Sequence, residues 1–150
     1  QNGILIAATN HHELLDSAIW RRFQTVIEMP KPELAEVASM IKNMPEFIDV
    51  SQIKPGQWKK VYDALLGLSY SDIKNILNNM VKKLVLKDEN KVKFTDILVE
   101  AYLFKNHGNY TMEQMVQYMI DHGVSQKQAS LYFNVSTRQI KNCLERSEKN

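Results

Sequence analysis

The sequence predicts a mainly α-helical chain that opens with a short two-strand remnant of an α/β core. Three observations carry this. Apolar residues make up 44% of the 150 residues and charged residues 24%, the balance of a chain that folds around a core. From Leu34 onward apolar positions recur at steps of three and four, the period of helices with one buried face. Before that, Ile4-Leu5-Ile6-Ala7-Ala8 is a continuous apolar run of the kind buried on both faces inside a parallel sheet, and Phe23 to Met29 alternates and is rich in β-formers. Charge excludes less than it first suggests: 19 Lys and Arg against 17 Asp and Glu leave +2, too little to indicate a nucleic-acid or membrane partner alone. The one cysteine, Cys143, excludes an internal disulfide framework and points to a reducing compartment, so we expect a cytoplasmic protein. No apolar run approaches the roughly 18 residues of a membrane helix, and nothing at the start reads as a signal peptide.

Gln1-Asn2-Gly3 leads straight into the first apolar run without an initiator Met. A buried central strand needs neighbours for its backbone donors and acceptors, so we expect a piece of a larger α/β domain. Its strands should pair with another copy or be poorly ordered, because an exposed strand of this type invites edge pairing. After the polar Thr9-Asn10-His11-His12, Leu14, Leu15, Ala18 and Ile19 predict a short helix from Glu13 to Arg22. Pro30 and Pro32 stop the second strand, and Pro32-Glu33-Leu34 opens a helix that ends at Pro45. Residues 47–56, with Pro55 and Gly56, form a connector. Trp58, Val61, Tyr62 and Leu65 mark a helix from Gln57 to Leu66, closed by Gly67 in the usual capping position.

Ser69 or Ser71 then caps a long helix from Asp72 to Leu86, and Asp88-Glu89-Asn90 turns the chain. Thr95 is expected to cap the next helix, which runs to Lys105. His107-Gly108-Asn109 marks a boundary. Three shorter helical patterns follow, from Thr111 to Asp121, Ser125 to Phe133 and Thr137 to Arg146. The chain therefore divides into 1–30, 31–107 and 108–150.

The string from Ile4 to Asn10, followed by Leu15-Asp16-Ser17-Ala18-Ile19-Trp20-Arg21-Arg22-Phe23, resembles the fourth-strand region of AAA+ ATPases. The resemblance implies that Asn10 is the sensor 1 residue and that Arg21 and Arg22 are arginine fingers acting across a subunit interface of a ring or oligomer of copies. Chemistry suits those roles. A polar side chain at the carboxyl end of a parallel strand faces the ligand crevice, and a permanently charged, forked guanidinium can stabilise charge spread over phosphoryl oxygens. The plainer alternative makes Asn10 a helix cap and the arginines surface cations at a helix C-terminus.

Gly67-Leu68-Ser69-Tyr70-Ser71-Asp72-Ile73 resembles the step that begins the lid helix over the nucleotide in the same family. It implies that Gly67, Ser69, Ser71 and Asp72 approach the nucleotide, in a branch lacking the sensor 2 arginine, since Lys74 and no Arg is present. Val92 to Ile97 resembles the start of the last lid helix. The likeness covers residues 1 to about 107, making 1–30 the end of the α/β core and 31–107 the helical lid. The sequence contains no Gly-x-x-x-x-Gly-Lys-Ser/Thr and no apolar run ending in Asp-Glu. ATP and Mg2+ are thus expected in the intact parent, none is expected on this chain alone, and the chain by itself should not hydrolyse ATP.

Ser125 to Ile140 resembles a helix-turn-helix. Ser130 is the small residue where the helices cross, Asn134 takes the turn position usually held by Gly, Val135 plugs the core and Ser136 caps the second helix. Ile140 and Leu144 face inward with Cys143 beside them. Ser136, Thr137, Arg138, Gln139, Lys141 and Asn142 form the expected contact set for double-stranded DNA. Residues 109–150 carry five Lys or Arg and four Asp or Glu, so one copy should bind weakly and oligomerisation would strengthen it.

Two readings stay open: a DNA-transaction ATPase whose tail is its DNA address, or a protein-remodelling ATPase whose tail contacts protein. A vestigial ancestry is a third. His11 and His12 lack the Cys or acidic neighbours of a metal site. Met80, Met112, Met115 and Met119 read as core filler, and Lys59-Lys60 and Lys82-Lys83 as solvated faces.

Overall fold

The computed structural model describes residues 3–9 and 11–147, and the chain divides into two compact units, Gln1–Pro30 and Lys31–Asn150. Helices account for all the regular secondary structure among the described residues apart from one isolated bridge.

In the first unit the two expected strands, 4–8 and 23–29, pair with nothing among the described residues. Ile4 is 92% exposed and Ile6 87%, where a central strand would bury both. The physical reason is the one that made the run look like part of a sheet: its amide and carbonyl groups need strands on either side. The expected helix from Glu13 to Arg22 also divides. A 3-10 turn, His12–Leu14, is followed by a single helical turn, α1, Ser17–Trp20. Asp16 causes the break, because its Oδ1 accepts the Ala18 N–H at 2.8 Å and so starts a new helix instead of continuing one.

The second unit holds α2 (Leu34–Lys42), α3 (Trp58–Leu65), α4 (Tyr70–Leu86), α5 (Phe94–Lys105), α6 (Met112–Asp121), α7 (Gln126–Phe133) and α8 (Thr137–Ser147). Its core is continuous from Val37 to Cys143 and includes Ile41, Leu65, Ile76, Met80, Leu98, Met115, Met119 and Ile140. The central helix is α5, buried at every position from Phe94 to Ala101 except Asp96, and it packs against α3, α4 and α6. That burial explains why its apolar residues show no single face. The last three helices pack on one another, α8 against both α6 and α7.

Ends of these helices follow local chemistry. Ser69, Thr111 and Ser125 each accept an N–H from the third residue of the helix they open. Gly67 closes the α3 turn at φ +83°, a conformation that costs glycine little. One expectation fails here. Thr95 does not cap α5; it lies inside the helix and is buried, and Lys93 holds the capping position. Asp96 decides the register, because its carboxylate accepts the Lys93 N–H at 2.8 Å. Between α2 and α3, the connector is tied to the α4–α5 turn by the parallel bridge of Asp49 with Lys91.

Candidate functional site

Of the residues expected at a nucleotide, Asn10 lies outside the described residues. Arg21 and Arg22 follow α1 directly. Their backbone N–H groups donate to Ser17 O at 3.3 Å and Ile19 O at 3.0 Å, which closes the single turn. Both residues are exposed, and neither guanidinium has an ion pair among the described residues. They are free to meet an anion, and permanently charged to do so.

The step into α4 brings Ser69 and Asp72 together as a reciprocal cap. Asp72 N–H donates to Ser69 Oγ at 3.2 Å, while the Asp72 carboxylate accepts the Ser69 N–H at 3.1 Å and its hydroxyl at 2.8 Å. Both side chains are thereby committed to starting the helix. Ser71 is exposed in the first turn, and a Cβ added at Gly67 would meet only open space. The carboxylate at the helix start opposes the positive end of the helix dipole, and no basic side chain is bonded there.

The C-terminal helices place their expected residues differently. Asn134 adopts the left-handed conformation, φ 53° and ψ 45°, and turns α7 into α8. Val135 N–H then donates to Ser130 O at 3.0 Å. Ser130 is buried at the crossing and Ile140 and Cys143 face the core, where burial pushes the Cys143 thiol up. Ser136 caps α8 by accepting the Gln139 N–H at 3.2 Å. Gln139 returns its amide oxygen to Ser136 N–H at 2.9 Å, so this oxygen is engaged in the cap. Thr137, Arg138, Lys141 and Asn142 remain exposed on α8. Lys141 lies 4.0 Å from Glu145, and Arg146 lies 3.7 Å from Glu113 of α6; both are surface pairs of small energetic weight.

Some charged and aromatic groups escaped sequence reasoning. Glu100 is only 8% exposed and is paired with Lys83 of α4. Its place inside the apolar run Ile97 to Ala101 was the available signal, because a buried carboxylate demands a partner. Tyr118 stacks between Tyr102 at 4.7 Å and His122 at 4.1 Å, between ring centroids. Among the described residues no cluster of His, Cys, Asp and Glu could hold a metal ion, and no helix is long and apolar enough to cross a membrane.

No family profile matches the chain, and no solved structure matches it. A curated relative does. Over 98 residues the chain is 32% identical to an uncharacterized AAA family ATPase from Sinorhizobium fredii. The match takes in 63% of this chain and 27% of that protein, so the chain spans about a quarter of the relative's length. That relationship supports the AAA family for this chain.

Proposed function

We propose that this chain is the C-terminal part of an AAA-type ATPase subunit that acts on DNA. In this reading 1–30 is the end of the α/β core, where residues 4–8 and 23–29 are strands once the rest of the sheet is present. Asn10 is sensor 1, Arg21 and Arg22 are fingers offered to a neighbouring copy, and 31–107 is the lid. Gly67 and Ser71 are the lid positions nearest the nucleotide, with Ser69 and Asp72 holding the helix start. ATP and Mg2+ are bound by the parent, whose phosphate loop and paired carboxylates this sequence lacks. Residues 108–150 form a helix-turn-helix that docks α8 in a DNA major groove.

The observation that carries the ATPase reading is the 98-residue similarity to an AAA family ATPase. The left-handed turn at Asn134 and the exposed Arg138, Lys141 and Asn142 support the DNA reading. The alternative is a protein-remodelling ATPase with a protein-binding tail, in which the exposed Leu131 of α7 would belong to the contact face.

Fluorescence anisotropy with duplex DNA over a salt series tests the tail. Binding should weaken steeply with salt, and Arg138→Ala with Lys141→Ala should lower affinity about tenfold and flatten the salt slope by about two phosphates. No binding at low salt, for the folded chain and for a forced oligomer alike, would favour the protein-binding tail. A magnesium-dependent ATPase rate from the pure chain would overturn the assignment of the phosphate loop to the missing part.

A further inference from the structure

One concavity of the second unit is lined by no residue of the proposed nucleotide or DNA sites. It is an open groove of about 620 Å³ between α4 and the end of α5. Ile76, Leu103 and Phe104 give it an apolar floor, and Asn79, Lys82 and His107 stand at its rim. Lys83 and the buried Glu100 form part of the wall and neutralise each other. Lys82, by contrast, is exposed and has no ion pair among the described residues. Asn79, one turn before it, is exposed, and its side chain makes no hydrogen bond among the described residues.

We propose that this groove docks a peptide segment of a partner protein in which an apolar side chain is flanked by carboxylates. The floor takes the apolar side chain, whose burial drives association. Lys82 supplies an unpaired cation for an adjacent carboxylate and favours acidic partners over basic ones. The Asn79 amide carries a donor and an acceptor, the complement of the C=O and N–H that a peptide backbone presents. A nucleic-acid strand fits less well. Base stacking calls for an exposed aromatic platform, while Phe104 is half-buried. The α4–α5 hairpin, residues 70–105, carries seven Lys against five Asp or Glu, and with Lys83 and Glu100 paired the exposed Lys82 is the cation left at the groove for an acidic segment. This inference stands apart from the ATPase and DNA readings and survives the failure of either.

The test is selection of a random twelve-residue phage-displayed peptide library on the 150-residue chain, with selected peptides then titrated into the labelled protein by NMR. We expect enrichment of sequences that set Asp or Glu beside Phe, Leu or Ile. Their titration should shift the amides of Asn79, Lys82, Leu103 and His107. Lys82→Glu should weaken them at least tenfold and Asn79→Ala several-fold, with unchanged circular dichroism because both side chains are exposed. Raising salt should weaken binding. Enrichment of non-acidic sequences, failure to enrich any, or equal binding to Lys82→Glu would overturn the proposal. Displacement of a selected peptide from these residues by a twelve-nucleotide oligo-dT would overturn it in favour of a nucleic acid.

Discussion

Asn134 shows how much one backbone conformation decides. Its left-handed φ of 53° makes the sharp turn from α7 into α8, and asparagine tolerates that region better than any residue but glycine. Asn134→Ala should cost about 1 kcal/mol in urea unfolding, while Asn134→Gly should be near neutral. This residue was legible in the sequence because its chemistry is local. Tyr118 was not, since its environment includes Tyr102 of α5, a neighbour that only the packing of helices supplies. Its hydroxyl is buried with no hydrogen-bond partner among the described residues, and burial pushes its pKa up to about 12. Tyr118→Phe removes a polar group that gains nothing, and should stabilise the fold by about 1 kcal/mol in the same assay. The pH dependence has a definite sign. Tyr118 and Tyr132 both titrate at about 12 in the fold against an ordinary 10.0. Their neutral forms therefore favour the fold fully below pH 10, and that stability is lost as pH rises toward 12. Ultraviolet titration of tyrosinate should show Tyr118, whose hydroxyl is buried, ionising late and with unfolding.

Helices are the part of this molecule that its sequence states most clearly. Apolar spacing located α2, α3, α4, α6, α7 and α8 because each buries one face, and of the two serines expected to cap α4 it is Ser69 that does so. The start of α5 was misplaced at Thr95, whose hydroxyl chemistry suits a cap but which packs into the core, while the Asp96 carboxylate accepts the Lys93 N–H one turn earlier. Each of α6, α7 and α8 opens with Ser or Thr followed three residues later by Gln, closing a reciprocal cap. Ser136→Ala should therefore cost about 1 kcal/mol, and should also release Gln139. Between α4 and α5 the Lys83–Glu100 pair invites a double-mutant cycle. Lys83→Ala should destabilise by about 1–2 kcal/mol by stranding the Glu100 carboxylate, and Glu100→Gln in that background should recover part of the loss.

At the scale of the whole chain, the second unit carries its own core from Val37 to Cys143, and no described residue before Pro32 is buried. Residues 31–150 alone should fold, with a thermal midpoint within about 2 °C of the full chain by circular dichroism. They should also be more soluble, having shed Ile4, Leu5 and Ile6. The first thirty residues are where sequence and structure part company. Their apolar pattern encodes a place in a sheet, and a pattern cannot supply the neighbouring strands that hold it there. Helices of the second unit need only one another, so their pattern suffices. The bridge of Asp49 with Lys91 has a consequence for proteolysis. Asp49 N–H donates to Asn90 O at 2.7 Å and Val92 N–H to Asp49 O at 2.9 Å, which pins the longest non-helical connection of the second unit at both neighbours. A protease must draw several residues of extended backbone into its cleft, and a pinned connector resists that even where Phe47 is exposed. Limited chymotrypsin digestion should cut first among residues 3–9 and 23–29, leaving a resistant fragment in which the Phe47 bond is intact.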